Sequence, residues 1–341
     1  MARFISDSNA VSMRWESGLY ATASGDRLWI GLVQNSSIDE STGVLPIRYV
    51  GTSTRNVDLF VDGPKDVTGA FSYYPQNWRM FVAALGSNID SGSPTPYAHV
   101  ISELNSNAAS PYISGALNPF TSFTIEDSKR TGTDGLHFVR TVNGAVVNTI
   151  TLNGTQGEPL TVDVDYVGQE VTFTSGAPTL ATEITTRPYM WRDVRLHIPS
   201  GTVIAELKDF SLSINNNLEP PHYLNGSQVI APPIPLNRDY EFTATLDSTS
   251  ENTKTFWESY FVGGSSLNVG GGSTFNMMLE VSAQIGAGSR EAFFIMSGCK
   301  MMDMELPTPQ EGVNETSLTI QPRNMVINVN DDVFIYSPFP Y

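Results

Sequence analysis

The sequence predicts an all-β fold with a few short helices, and three features carry this prediction. Several segments alternate polar and apolar residues with a period of two, as in residues 161–167 (TVDVDYV). This alternation is typical of a strand with one buried and one solvated face. Asn-Gly, Gly-Ser and Asp-Gly turn signals separate such segments. Hydrophobic residues make up 40% of the 341 residues, which is enough apolar material for a sizeable core.

The clearest alternating segments give four predicted strands, at residues 146–152, 161–167, 240–246 and 325–330. Asn143-Gly144 lies between the strand-like residues 138–142 and the first of these strands. Asn-Gly is the preferred sequence of a two-residue hairpin turn. A β-hairpin is therefore predicted at this dipeptide.

Two segments have helical patterns instead. Residues 78–85 (WRMFVAAL) place large apolar side chains three and four positions apart and run into Gly86, a helix stop signal. Residues 254–261 (KTFWESYF) have a similar spacing. Trp78 and Trp257 are the predicted anchors of these two helices in the hydrophobic core.

The elements around the two helices follow in the same order, which predicts an internal duplication. A strand precedes each helix, at residues 66–73 and 239–246, and strands of similar pattern follow it. A small, polar, Pro-marked stretch between the two parts is typical of a linker. Each domain is expected to be a β-sandwich or half-barrel with one flanking helix. The predicted units are an N-terminal arm (1–24), a first β domain (25–175), a linker (176–187) and a second β domain (188–341).

The charge balance disfavours several classes of binding protein. The chain carries 19 Lys and Arg against 35 Asp and Glu, a formal net charge of −16. Conventional nucleic-acid binders rely on phosphate neutralisation, and anionic membranes attract basic surfaces, so neither kind of binding is expected. The apolar runs are too short for a transmembrane helix, and no secretory signal is visible at the start of the sequence. We therefore expect a soluble protein made in the cytoplasm.

The sequence contains no evident catalytic or metal-binding constellation, so we expect no enzyme activity, no cofactor and no metal. The four histidines lie far apart, and the one cysteine, Cys299, excludes a multi-cysteine zinc site and an internal disulfide. Cys299 lies in a strand-like run and is interpreted as a small buried hydrophobe. Asp163 and Asp165 share one face of a strand, where a solvated surface is favoured over an acid/base pair.

A group of segments carries a family resemblance. Residues 208–218 (KDFSLSINNNL) form a strand pattern that ends in an Asn-rich turn, and residues 238–247 (RDYEFTATLD) form the strand that follows. Residues 69–78 (GAFSYYPQNW) and 83–87 (AALGS) form a strand-to-helix passage. These segments resemble the major tail tube proteins of long-tailed viruses of bacteria and archaea, over roughly residues 25–330. With its apparent duplication, the chain is similar to a two-domain member of that family.

This resemblance implies a structural virion protein with a tail-tube fold in each domain. Subunits of the family join their sheets side by side into rings. Stacked rings form a hollow tube through which viral DNA passes into the host cell without specific binding. Single-domain members form six-membered rings, so a two-domain chain is expected to form a trimeric, pseudo-hexameric ring.

The resemblance also implies partners and a location. The partners are further copies of the chain together with the tail terminator, tip and tape-measure proteins. No membrane and no cofactor are implied. The expected location is the virion tail, after synthesis in the host cytoplasm.

The tube interpretation assigns candidate roles to particular residues. Asp163, Asp165 and Glu315 are candidates for the lumen face, since acidic side chains would let DNA slide without holding it. The alternative is that these carboxylates face only bulk solvent. Two long polar segments, residues 35–57 and 87–119, are candidates for contacts between rings. Candidates for contacts between subunits are Phe339 and Tyr341 in the C-terminal tail and Asn215 and Asn216 in the Asn-rich turn.

Two other kinds of function stay open on the sequence alone. The first is a β-sandwich binding module such as a glycan-binding adhesin, since abundant Tyr and Trp and polar loops would suit sugars. Another virion component, such as a tail terminator or tip protein with the same fold, also stays open. A hydrolase on a double jelly roll would need carboxylates that only folding brings together. Self-assembly discriminates among these functions, because the tube interpretation alone predicts rings that stack.

Overall fold

The computed structural model describes residues 10–16, 23, 26–49, 56–57, 59–92, 96–103, 122–131, 136–178, 180–224, 226–248, 254–262, 273–285, 288–308, 314–333 and 336. The chain is mostly β, as predicted. The buried apolar side chains form one hydrophobic core, to which both the N-terminal and the C-terminal parts of the chain contribute.

The described strands, in chain order, are β1 (Ala10–Trp15), β2 (Gly31–Thr42), β3 (Leu45–Ile47), β4 (Leu59–Val61), β5 (Lys65–Pro75), β6 (Gly86–Ser91), β7 (Tyr97–Glu103), β8 (Phe123–Thr131), β9 (Leu136–Thr155), β10 (Thr161–Gly168), β11 (Glu170–Thr174), β12 (Val194–His197), β13 (Val203–Ile204), β14 (Leu207–Asn215), β15 (Leu218–Glu219), β16 (Ile234–Pro235), β17 (Asp239–Asp247), β18 (Phe275–Ile285), β19 (Gly288–Glu305), β20 (Glu315–Gln321) and β21 (Asn324–Asp331). The described helical elements are α1 (Arg79–Leu85), a 3₁₀ turn (Trp191–Asp193) and a π-helical turn (Phe256–Phe261).

The four strands predicted from alternation are confirmed, and they lie within β9, β10, β17 and β21. The first predicted helix is also confirmed. α1 ends at Gly86, whose φ of 95° gives the left-handed C-cap that the stop signal predicts. The second predicted helix begins at Lys254 and continues as the π-helical turn.

Eight antiparallel strands form one continuous sheet, the central sheet, in the order β2-β5-β10-β9-β14-β17-β20-β19. The N-terminal part of the chain supplies the first four strands and the C-terminal part supplies the last four. The two groups meet where β14 pairs with β9, from Asp209 opposite Thr155 to Asn215 opposite Thr149. We call this β9–β14 pairing the internal seam.

The remaining long strands form two outer groups, with the strand orders β1-β8-β9-β11 and β6-β7-β21-β19-β18-β12-β13. The long strands β9 and β19 each belong to an outer group over their first part and to the central sheet over their last part. Two short hairpins, β3–β4 and β15–β16, stand apart from these sheets.

The hairpin predicted at Asn143-Gly144 is wrong, because β9 runs through this dipeptide without reversing. Gly144 has a φ of 65°, and the register between β8 and β9 shifts at this point. The dipeptide therefore forms a β-bulge, which bends β9 from the outer group into the central sheet. The Asn-Gly signal marks the residue with positive φ and not a chain reversal.

The same irregularities recur in the second group of strands. Gly298, with a φ of 63°, lies where β19 leaves its outer group, at a register shift with β18. The shift in β10–β9 pairing after Asp165 has its counterpart in β19–β20 pairing after Met301. The shift in β2–β5 pairing after Val33 has its counterpart in β14–β17 pairing after Leu207.

These shared shifts align the two groups of four strands residue by residue. β2 corresponds to β14, β5 to β17, β10 to β20 and β9 to β19. Between β2 and β14, the corresponding residues are Ile38 and Leu212, Asp39 and Ser213, and Thr42 and Asn216. Between β9 and β19, they are Thr151 and Glu305, and Leu152 and Leu306.

Part of the predicted N-terminal arm belongs to the fold. Residues 10–15 form β1, which pairs with β8. Trp15 is fully buried, and its Nε1 donates a hydrogen bond to Tyr336 O at 2.8 Å. This stretch is therefore packed into the molecule, in place of the separate arm that the sequence predicts.

Candidate functional site

The central sheet has one polar face that extends across all eight strands. Small polar side chains oppose one another on it, as Ser211 does Thr243 and Thr245 does Ser317. The alternate residues of the same strands point into the core, where Leu152 is fully buried. The carboxylates placed on the polar face by the strand alternation include Asp39, Asp163, Asp165, Asp209, Asp303, Glu305 and Glu315.

The structure places Asp163 and Asp165 next to each other on this face, on β10. Asp163 accepts hydrogen bonds from Ser72 Oγ and from Asn153 Nδ2, the latter at 2.8 Å. Burial raises the pKa of Asp165, and the nearby negative charge of Asp163 raises it further. Both side chains therefore form one acidic strip along β10.

Glu315 lies on the same face but at a distance from that strip, on β20. Its Oε1 accepts a hydrogen bond from Lys208 Nζ at 2.7 Å, and Asp247 lies 2.6 Å from the same ammonium. The hydrogen bonds that Lys208 donates to Asp247 and Glu315 raise its pKa above the usual value of a lysine. A cation on the polar face is thus balanced by two anions, which leaves the face acidic around it.

The internal seam is closed, and its side chains on the core face are buried. Leu152 and Leu212 oppose each other across it, and both are fully buried. Phe210 lies against Gly154, where an added Cβ would come within 2.2 Å of the phenyl ring. On the polar face, Thr151 Oγ1 donates a hydrogen bond to Ser213 Oγ at 3.3 Å.

The two outer edges of the central sheet are open. In the described part of the chain, β2 pairs only with β5, and the last part of β19 pairs only with β20. Leu306, the residue directly after β19, is 41% exposed, although Leu152 at the corresponding position is fully buried. An edge strand that lacks a second partner strand and lies beside an exposed apolar side chain is a template for another strand.

Asn215 and Asn216 lie inside the chain at the internal seam. Asn215 opposes Thr149 of β9. The buried Asn216 donates from Nδ2 to Val147 O at 2.9 Å and to Ala84 O at 3.1 Å, and its Oδ1 accepts from Arg238. The side chain of Asn216 therefore bonds the two halves of one chain to each other. The sequence predicts a contact with a neighbouring subunit instead, and this buried side chain is not open to one.

A second contact joins the two halves in the outer layer. The segment at residues 87–119, predicted to be a polar loop, contains the β6–β7 hairpin, and β7 pairs with β21. His99 of β7 lies between two carboxylates, with Nδ1 2.5 Å from Asp90 Oδ1 and Nε2 3.3 Å from Asp331 Oδ1. Burial opposes the charged form of His99, but Asp331 and Asp90 outweigh it and raise its pKa to about 9.

Tyr336 closes this contact from the C-terminal side. Its ring stacks on the His99 ring at 4.0 Å, and its hydroxyl donates to Asp331. The same hydroxyl accepts a hydrogen bond from Trp78 N at 3.2 Å. The cluster thus ties β7, β21 and the start of α1 together. Sequence reasoning missed it because its members are far apart in the chain and no local pattern connects them.

The two tryptophans have different environments. Trp78 is fully buried, with its ring 5.0 Å from Tyr189 and 5.1 Å from Phe294. Trp257 is 39% exposed and packs on Phe261. The buried residue of the π-helical turn is Phe256, so the core anchor is displaced by one position from the predicted Trp257. Phe339 and Tyr341 lie outside the described residues.

Both short hairpins present apolar side chains to solvent, and both follow corresponding strands, β2 and β14. Phe60 in the first is 67% exposed, and Tyr223 in the loop of the second is also exposed. His222 Nε2 lies 2.8 Å from Asp66 Oδ1, which links the two hairpin regions. The hairpins thus lie at one end of the central sheet. A shallow depression lined by Trp191, Val203, Leu207 and Phe210 lies at the other end.

His, Asp, Glu and Cys side chains are the candidates for metal binding and catalysis. No group of three or more His, Cys, Asp or Glu within the described ranges is arranged to hold a metal ion. Burial raises the pKa of Cys299 to about 11, so its thiol is protonated at neutral pH. Among the helices of the described residues, none is long and apolar enough to span a membrane.

Comparison with known proteins completes these observations. A family model with the description "Phage tail tube protein" matches residues 48–318, which cover most of both four-strand groups. A search of curated proteins finds no match to the chain. The family match agrees with the mostly β fold and with the resemblance found in the sequence. The chain therefore belongs to the phage tail tube protein family and is a structural protein of the virion tail.

Proposed function

We propose that the chain is the major tail tube subunit, which assembles into stacked rings around a channel for the viral genome. The observation that carries the proposal is the central sheet, in which two corresponding four-strand groups are already joined edge to edge. Among the residues that the structure describes, neither outer edge has a further partner strand. Strand edges of this kind are completed by another strand. The natural partner is the corresponding edge of a second copy.

The proposed ring has three copies. The correspondence of strands and bulges supports an internal duplication, with domains near residues 25–175 and 188–341 and a linker at 176–187. If each half fills one position of a six-position wall, three chains close the ring. The internal seam then serves as the template for the seam between chains. It joins β9 to β14, and the seam between chains would join the corresponding strands, β19 of one chain and β2 of the next.

The polar face of the central sheet is the proposed lumen wall. It is rich in Ser, Thr and Asn, it carries Asp163, Asp165 and Glu315, and its Lys208 is paired with two carboxylates. A duplex is held by unpaired Lys and Arg, whose phosphate contacts release counterions. A neutral to acidic wall avoids this binding, so DNA can slide through the channel.

The proposed contacts between rings use the two apolar hairpins. Both project from the same end of the central sheet, and the depression lined by Trp191 and Phe210 lies at the opposite end. A ring would thus meet the next ring through its hairpins. The tail terminator, tip and tape-measure proteins are the proposed partners at the two ends and inside the tube. No enzymatic step is part of the proposal.

Negative-stain microscopy of the concentrated chain tests this function. We expect hollow filaments for the wild type. We expect free subunits for Leu306→Asp, which places a charge on the open edge without disturbing the core. Leu180→Asp is the matched control, since Leu180 is also exposed but belongs to none of the strands of the central sheet. Wild-type chains that stay monomeric at every concentration would contradict the proposal, and single rings that never stack would indicate a terminator or tip protein.

The hairpins can be tested separately. Phe60→Asp with Leu224→Asp should leave rings intact but prevent long tubes, because both side chains are exposed in the subunit. Tubes of normal length from this variant would show that the rings stack through other surfaces.

A further inference from the structure

We infer that, between two copies, β2 and β19 pair in the register of the internal seam, with Ile38 opposite Leu306 and Asp39 opposite Glu305, and that these two carboxylates repel each other across the seam. This inference rests on the proposed ring assembly. It adds the register, the contact residues and the sign of the electrostatic contribution.

The register follows from the correspondence of the strands. In the internal seam Leu212 of β14 opposes Leu152 of β9, and Ser213 opposes Thr151. Ile38 and Asp39 occupy the positions of Leu212 and Ser213, because both strands carry the same bulge, after Val33 and after Leu207.

The β19 side is aligned in the same way. Glu305 and Leu306 occupy the positions of Thr151 and Leu152, because the bulge after Met301 matches the one that β9 makes with β10. A strand shifted by one residue would turn Ile38 from the core face to the polar face, so the register is strongly specified.

Exposure of the apolar pair supports this placement. Leu152 is fully buried next to its partner strand, whereas Leu306 is 41% exposed at an edge that has no partner strand among the described residues. Ile38 on the other open edge already points toward the core and is 7% exposed. A second copy in the inferred register would bring Ile38 against Leu306 and cover the latter as Leu212 covers Leu152.

The residues that face each other on the polar face are neutral at the internal seam and acidic at the inferred seam between copies. Inside the chain, Thr151 and Ser213 share a hydrogen bond. Between copies, two carboxylates would take these places, with their Cβ atoms about 5 Å apart. Arg140 donates to Ile38 O at 3.1 Å, but its charge is balanced by Asp127 at 3.1 Å.

The consequence is a weakened interface between copies. Like charges directly opposite each other destabilise a strand pair. Charged residues on an edge strand are also a common protection against uncontrolled pairing. The seam between copies is thus weaker than the internal seam, and salt strengthens it by screening the two carboxylates.

Disulfide cross-linking tests the register. Asp39→Cys with Glu305→Cys places two thiols on the polar face, and oxidation of assembled protein should join chains into dimers and trimers on a non-reducing gel. Ser37→Cys with Glu305→Cys is the control, because a shift of two residues puts the Cα atoms too far apart for a disulfide. Thr151→Cys with Ser213→Cys should cross-link within one chain. The native Cys299 is fully buried and stays in place.

The outcomes separate the register from the proposed function. Assembled tubes that cross-link through the shifted pair but not through the in-register pair overturn the register and keep the tube. Chains that form no rings in the microscope and no cross-link between chains with either pair overturn both.

Neutral replacement tests the repulsion. Asp39→Ser with Glu305→Thr copies the internal seam and should lower the concentration needed for assembly by about two- to fivefold at low salt. The difference should vanish near 1 M salt, where the screening length is about 3 Å. Asp26→Asn with Glu183→Gln removes the same charge at exposed sites away from the polar face. An equal shift in this control, or no shift in the seam variant, overturns the inferred repulsion.

Discussion

The internal seam and the open edges are formed by corresponding strands, which are paired at the seam and lack a partner strand at the edges. At the internal seam, β9 and β14 are hydrogen-bonded, Leu152 and Leu212 are fully buried, and Asn216 satisfies backbone carbonyls from the other half. At the open edges, the corresponding Leu306 is 41% exposed. One molecule thus displays both a completed strand contact, the internal seam, and the corresponding strand edges without their partner. The β9–β14 pairing therefore indicates how the β2 and β19 edges of two copies would pair.

The largest expected difference concerns the two corresponding leucines. Leu152→Ala should lower the free energy of unfolding by about 2–5 kcal/mol, because it leaves a cavity in a closed seam. Leu306→Ala should change the subunit's stability by less than about 0.5 kcal/mol but should weaken assembly, because this side chain is covered only in the ring. Urea unfolding of both variants, with sedimentation of the second, checks the pair. Equal losses of subunit stability would contradict the correspondence.

The next expected difference concerns Asn216 and Thr42, which occupy corresponding positions at the ends of β14 and β2. Asn216→Ala leaves Val147 O without its side-chain donor and leaves Ala84 O with the donor from Arg238 alone, and it should cost about 1–3 kcal/mol of unfolding free energy. Thr42 is exposed, so Thr42→Ala should stay within about 0.5 kcal/mol. Denaturant midpoints measure both, and a similar cost at Thr42 would show that the β2 end is already engaged.

A smaller effect is expected from pH at the β7–β21 contact. The pKa of His99 is raised from its ordinary value of 6.5 to about 9. The charged imidazolium therefore stabilises the fold fully below pH about 6.5, and this stabilisation is lost as pH rises through about 9. Tm measured between pH 6 and 10 should fall for the wild type. His99→Gln should remove that part of the slope, and an unchanged slope in this variant would rule out His99 as its origin.

The smallest effect is expected at Lys208. Its ion pairs with Asp247 and Glu315 lie in solvent on the polar face, and exposed pairs contribute little to stability. Lys208→Gln copies Gln34, the corresponding residue of β2, and should leave the unfolding midpoint unchanged at physiological salt. A clear loss of stability would mean that this triad holds β14 and β20 together more firmly than its exposure suggests.

Local patterns predicted the parts of the fold that depend on local physics. The alternation at residues 161–167 predicts β10, because a half-buried strand needs one apolar residue in two. The apolar spacing before Gly86 predicts α1, because glycine supplies the left-handed C-cap. The placement of Asp163 and Asp165 on one face follows from the same alternation.

Features that depend on distant contacts were not predictable in this way. Asn143-Gly144 signals a positive φ, but a hairpin and a bulge both need one, and only the pairing with β8 and β11 decides between them. The helical pattern around Trp257 does not say which of two adjacent aromatics enters the core. His99 and Asp331 meet only because β7 pairs with β21.

Cryo-electron microscopy of assembled tubes would show both the rotational symmetry of the ring and which strands of neighbouring chains are paired. We predict threefold rings with six similar wall positions, in which β2 of one chain pairs with β19 of the next and the polar face of the central sheet lines the channel. Rings of six chains, or tubes in which these two edges do not meet, would contradict this prediction.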